Sequence, residues 1–235
     1  MFIMQAGLIP VVNDDTGAQY VMIPEKIWMG SVFIGIAAAV DFLDGFVARF
    51  LKATSEMGKQ LDSLADVVSF GVAPGMILFQ FLRLAYAQQQ DGLDVNIIWI
   101  LPAFFFSCAV AYRLAKFNID SSQTNSFKGV PSPAGGLLIA SFPLIYWFSD
   151  AAWAVNLLIN KWFLYGTIFL VSYLMVSNLP MMALKFSKPL AKKLMPFIIL
   201  AAIAIVAATF LGWIAAPITF LAYVILSLLN KQKQS

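Results

Sequence analysis

There is no histidine among the 235 residues, and only one cysteine. The first absence removes the usual base of neutral pH and the commonest nitrogen ligand of metals, so a metal held by this chain is held by oxygen. The second excludes an intrachain disulfide, and Cys108, in mid-helix within FFFSCAVAY, reads as a packing residue. Charge is scarce as well: Asp, Glu, Lys and Arg make up 11% of the chain, against about 25% in an ordinary soluble domain. No basic run with interleaved aromatics marks a nucleic-acid surface, so nucleic acid is excluded as a partner. No basic leader or small-residue cleavage pattern marks MFIMQAGLIPVV as a signal peptide, and its apolar run of about 11 residues is too short to span a bilayer. Fixed-period repeats and low-complexity tracts are missing too.

What is present is apolar sequence: 61% hydrophobic residues, with a mean hydropathy of +0.83. Stretches of about 20 such residues match a hydrocarbon core of about 30 Å. Seven are read: Ile27 to Phe50, Lys59 to Leu84, Asn96 to Phe117, Pro131 to Phe148, Lys161 to Leu184, Leu194 to Leu211 and Ala215 to Leu229. The fold class is therefore all-α, a polytopic transmembrane helix bundle of seven full spans, preceded by the end of a truncated N-terminal helix. Residues 1–26 hold that remnant and an external loop, 27–230 form one membrane domain, and 231–235 are a cytoplasmic tail. Threading the seven spans puts twelve cations on one side (Arg49, Lys52, Lys59, Arg113, Lys116, Lys128, Lys185, Lys188, Lys192, Lys193, Lys231 and Lys233) and Lys26, Arg83 and Lys161 on the other. The excess marks the first side as cytoplasmic in a plasma or inner membrane.

The charges that remain are concentrated. Between Asp41 and Asp66 the chain reads DxxDGxxAR, eight residues, then GxxxDxxxD. A charge at membrane depth costs roughly 2.5 to 3.5 kcal/mol, so four carboxylates together need a compensating function. Asp41 and Asp44 lie one helical turn apart, and so do Asp62 and Asp66. The short polar link LKATSE makes the two helices antiparallel neighbours, so the pairs can face each other. Four such charges repel one another, and divalent cations relieve the repulsion directly. All-oxygen ligation selects hard ions, Mg²⁺ first, with Mn²⁺ and Ca²⁺ possible. Two bridged metals would clamp a phosphate-transfer reaction. Gly45 and Gly58 let a ligand approach the backbone, and Arg49 offers a planar fork for phosphate oxygens. The bland alternative has each aspartate snorkelling at a helix end or pairing with Arg49, Lys52 or Lys59. That explains any one of them better than all four in register.

DFLDGFVARFLKATSEMGKQLDSLAD fits every fixed position of the signature of the CDP-alcohol phosphatidyltransferases, and the chain resembles that family of integral membrane enzymes. The resemblance implies displacement at the lipid-bearing phosphate of a CDP-linked lipid by an alcohol, releasing CMP. It implies that Asp41, Asp44 and Asp62 bind Mg²⁺ or Mn²⁺, two ions in all, while Asp66 completes the second metal's shell and acts as general base. By the same mapping Gly45, Ala48, Arg49 and Gly58 lie against the cytidine diphosphate.

The acceptor is read from the surroundings. SLADVVSFGVAPG, AYRLAKFNI and FKGVPSPAGG look like the bacterial and archaeal phosphatidylserine synthases of this family, which implies CDP-diacylglycerol and L-serine as substrates, membrane lipids as surroundings and a homodimer as assembly. Arg113 and Lys116 would meet a lipid phosphate or the serine carboxylate, though inside-positive anchoring accounts for them equally. Asn118 and Ser132 are candidates to orient serine, with helix capping and turn chemistry as the alternative. Gly71, Pro74 and Gly75 interrupt the helix that carries Asp62 and Asp66, more readily for close packing than as a lipid path. Pro131, Pro133, Gly135 and Gly136 suit either helix initiation or a shaped opening. Family members begin with a helix carrying N-x-x-T; the only match here, Asn13 to Thr16, falls in the external loop. Two other functions stay open: a sibling transferase using glycerol 3-phosphate or inositol, and a cation transporter with the aspartates in its path.

Overall fold

The structure, a computed structural model, describes residue 3 and residues 11–13, 19–21, 26–51, 55–89, 95–119, 127–182 and 190–231. The side chains of Ala48 and Arg49 lie outside the described set, as do Lys52, Thr16, Lys185 and Lys188 altogether. After Ile3, which is helical, comes a short antiparallel hairpin, β1 (Val11–Asn13) with β2 (Gln19–Val21). Helix α1 is Ile27–Leu51. A continuous helical rod follows, made of α2 (Glu56–Asp66), one π-helical turn (Val67–Val72) and α3 (Ala73–Ala87). Next come α4 (Ala103–Ile119), strand β3 (Phe127–Lys128), α5 (Ser132–Phe148), the short α6 (Ala152–Leu158) and α7 (Lys161–Val176). Strand β4 (Pro180–Met181) pairs antiparallel with β3, and α8 (Leu190–Leu211) and α9 (Ala215–Lys231) close the chain.

The all-α expectation holds, apart from these two small strand pairs. By length and hydropathy, Ile27–Val47, Glu56–Ala87 and Met195–Leu229 suffice to cross a membrane, and the pair α6 and α7, bent by 71°, adds a fourth candidate. Seven spans are not distinguished on that measure. At 17 residues, α4 and α5 each rise about 26 Å, a little under the hydrocarbon thickness. Gly212, in the left-handed region at φ 54°, turns the chain between α8 and α9, which pack against each other.

The core sits where α3, α4, α5 and α7 converge, around Phe81, Phe106, Phe142, Ile139, Leu164 and Ile168. Helix α1 packs on α5 and turns Phe42, Phe46 and Phe50 outward. Outward apolar side chains in a membrane protein meet lipid, so exposure here carries no solvation cost. The same reason corrects the reading of Cys108. It lies exposed on the outer stripe of α4 with Phe105 and Tyr112, not in the core.

Glycine lets several backbones touch. A Cβ on Gly71 would come within 3.1 Å of Val110, and one on Gly136 within 3.0 Å of the Phe70 backbone. Close packing therefore accounts for Gly71. Helix initiation and packing likewise account for Pro131, Pro133 and Gly136 at the start of α5.

Candidate metal and phosphate site

Helix α1 carries Asp41 and Asp44 in its second half, and α2 carries Asp62 and Asp66. The sequence starts α2 firmly: Ser55 takes the extended N-cap conformation and its Oγ accepts the Gly58 N–H at 3.0 Å. A Cβ on Gly58 would press that hydroxyl at 3.0 Å. Gly58 thus has a structural reason to be glycine besides the ligand contact implied by the family mapping. Helix α2 presents no buried side chain among the described residues, so its polar face is free to line a site.

Carboxylate oxygens of Asp41, Asp44 and Asp62 all lie within 4.8 Å of one another. Oxygens on opposite sides of one Mg²⁺, at about 2.1 Å each, stand about 4.2 Å apart. Adjacent oxygens on such an octahedral ion stand about 3.0 Å apart, so side-chain rotations that close the group by up to about 2 Å would seat three oxygens on one hard cation. The donor set therefore fits Mg²⁺ or Mn²⁺, and with only carboxylates it fits no soft metal. Asp66, one turn beyond Asp62, is outside this tight group but within electrostatic reach of Asp41, Asp44 and Asp62. It is also within reach of Arg113. Gly45 follows Asp44 on α1, where Ala48 and Arg49 continue the same helix.

The expected acceptor residues divide. Arg113 is 8% exposed, and its Nη1 donates to Ser132 Oγ at 2.8 Å, joining α4 to the start of α5. Its buried Nε has no partner. Lys116 Nζ donates to Asn178 Oδ1 at 2.8 Å. Asn118 Nδ2 donates to Ser63 Oγ at 2.8 Å, so it ties the end of α4 to the carboxylate-bearing helix beside Asp62. Ser63 in turn donates to Lys59 O at 3.0 Å.

A small cavity lies beside the site, lined by Arg113, Lys116, Phe117, Lys128, Met175, Val176 and Ser177. Three cations line it, which gives this cavity a positive potential. Sequence reasoning did not single out Ser63, Lys128, Ser177 or Asn178. Asn178 and Ser63 meet their partners 62 and 55 residues away in the chain, which local spacing does not encode. Lys128 is placed by the β3–β4 pair, where Gly129 N donates to Leu179 O at 2.8 Å.

Residues 17–173, more than half of the chain, match the CDP-alcohol phosphatidyltransferase family. Among curated proteins, one from Bacillus subtilis (strain 168) named CDP-diacylglycerol–serine O-phosphatidyltransferase is 41% identical over 115 residues, covering 49% of this chain and 60% of that protein. Proteins of the same name from Mycobacterium leprae (strain TN) and Helicobacter pylori (strain J99) are 36% and 37% identical. Those alignments cover 63% and 60% of this chain, and 47% and 54% of the relatives. The chain spans about half the length of the curated relatives it matches.

Proposed function

This chain belongs to the CDP-alcohol phosphatidyltransferase family, and from that premise we propose that it transfers a phosphatidyl group from CDP-diacylglycerol to L-serine, giving phosphatidylserine and CMP. The observation that carries the reading is the triple carboxylate group of Asp41, Asp44 and Asp62, with Asp66 one turn away. Those side chains would hold Mg²⁺ or Mn²⁺, whose charge would neutralise the diphosphate and ease departure of CMP. Asp66 takes the proton of the serine hydroxyl as its oxygen attacks the lipid-bearing phosphorus. The new phosphorus–oxygen bond forms while the bond to the CMP oxygen breaks, and CMP leaves as an anion. Gly45, Ala48, Arg49 and Gly58 would line the nucleotide side.

The serine carboxylate would lie beside Arg113, Lys116 and Lys128, with side-chain movement widening a cavity that is only about water-sized in this structure. Arg113 is held towards it by Ser132, and Lys116 by Asn178. Asn118 serves the reaction indirectly, by holding α2 through Ser63. The seven-span arrangement with the carboxylates facing the cytoplasm is part of this proposal, since serine and CDP-lipid then meet at one face.

Three cations would hold a phosphate as readily as a carboxylate, which favours a sibling activity with glycerol 3-phosphate as the second reading. Membranes containing the chain, given CDP-diacylglycerol and each labelled alcohol in parallel, decide between the two. Label from serine should enter phosphatidylserine. Incorporation of glycerol 3-phosphate or inositol with none from serine would reject serine as acceptor.

A further inference from the structure

The π turn at Val67–Val72 begins at the residue after Asp66. A π turn bonds i to i+5 and so inserts one extra residue into an α-helix. Each residue of an α-helix subtends about 100°. The extra residue therefore rotates everything before it, Asp62 and Asp66 included, by about that angle relative to the core-facing side chains of α3. Had the rod been α-helical throughout, Phe81, Ile77 and Leu78 could keep their core positions only with the two aspartates turned well away from Asp41 and Asp44. The π turn thus sets the phase on which the carboxylate group depends.

Such a turn is held against its own poorer geometry by specific contacts. It is packed between α4 and α5. From α5, the Gly136 backbone lies against Phe70; from α4, Val110 lies against Gly71. Ser107, also on α4, donates its Oγ to the Gly71 carbonyl at 2.9 Å. The same hydroxyl occupies the space that a Cβ on Gly75 would need. Gly75 is therefore the vacancy into which the Ser107 hydroxyl fits on its way to Gly71.

We propose that Ser107 is a positioning residue for the metal-binding carboxylates: its hydrogen bond to Gly71 holds the π turn and thereby aims Asp62 and Asp66 at Asp41 and Asp44. The inference rests on the metal reading of those carboxylates. Two substitutions reach the same bond by different routes. Ser107→Ala removes the donor, and Gly75→Ala displaces it. Combined, they are sterically compatible: the new Cβ at position 75 would stand 3.6 Å from the Cβ of residue 107 and 3.8 Å from Ala103 O, both ordinary contacts. The double variant is expected to unfold near the wild-type temperature while still lacking the bond.

The test is Mn²⁺ binding to the full chain in lipid nanodiscs, titrated by the paramagnetic resonance of free Mn²⁺, with unfolding temperatures measured alongside. Loss of a residue that orients metal ligands typically weakens metal affinity by about 10- to 100-fold. That loss is expected in Ser107→Ala and in the double variant alike. A double variant that unfolds at the wild-type temperature and binds Mn²⁺ like wild type would overturn the role of Ser107. A wild-type chain that binds no Mn²⁺ would instead overturn the metal reading itself.

Discussion

One turn of helix separates Asp62 from Asp66, and their surroundings differ. Asp62 is exposed and belongs to the close carboxylate group with Asp41 and Asp44, whereas Asp66 is partly buried and lies within reach of Arg113. Asp66→Asn is expected to lower kcat by about 10²- to 10⁴-fold, the usual contribution of a general base, with KM for CDP-diacylglycerol near wild type. Asp62→Asn should also raise the Mn²⁺ concentration that gives half-maximal rate. Steady-state kinetics on both variants check this, and wild-type turnover in Asp66→Asn would remove that residue from the base role. Arg113 makes a second case at this scale. Its Nε is already without a partner, and Ser132→Ala would leave Nη1 without one as well. An orphaned buried donor costs about 1–3 kcal/mol, so thermal unfolding in detergent should begin at a lower temperature.

Among the elements, β3 and β4 are the smallest and the most exacting. Gly129 sits at φ 77°, and a Cβ there would collide with the Met175 and Ser177 carbonyl oxygens. Gly129→Ala should cost about 1–2 kcal/mol for the left-handed backbone alone, and more because the new methyl has no room. The cavity that Lys128 lines should loosen with it, read as a raised KM for the acceptor beside a lowered unfolding temperature. The helices themselves were legible because apolar length and turn residues are local signals: α1, α5 and α7 start within a residue of their expected positions. The carboxylate pairs were legible for the same reason, since spacings of three and four residues fix a helical face. What escaped depends on distant partners. Gly71 marks an interruption of the helix, but VVSFGV does not specify a π turn, because the contacts that hold it come from Ser107, Val110 and Gly136. That Asn118 bonds Ser63 is likewise settled only when α4 lies beside α2.

At the scale of the whole molecule, the helical rod from Glu56 to Ala87 joins two chemistries. Its beginning carries Asp62 and Asp66. Near its far end Tyr86 bonds Tyr165 at 2.8 Å, and Lys161 stands 5.0 Å from the Tyr86 ring. An aromatic and cationic cluster of that kind suits a membrane interface. The proposed topology therefore predicts opposite accessibilities. In a Cys108→Ala background, a cysteine at Lys128 should react with an impermeant maleimide only in inside-out vesicles, and one at Trp153 only in right-side-out vesicles. Reaction of both from the same side would refute the alternating threading of α5. The central claim is metal-assisted transfer to serine at the carboxylate group, and CMP release by the purified full chain tests it most directly. Release should require CDP-diacylglycerol and serine together, stop with excess chelator and return with Mg²⁺ or Mn²⁺. Serine-dependent release that persists undiminished in chelator, or that survives the combined loss of Asp41, Asp44 and Asp62, would contradict it.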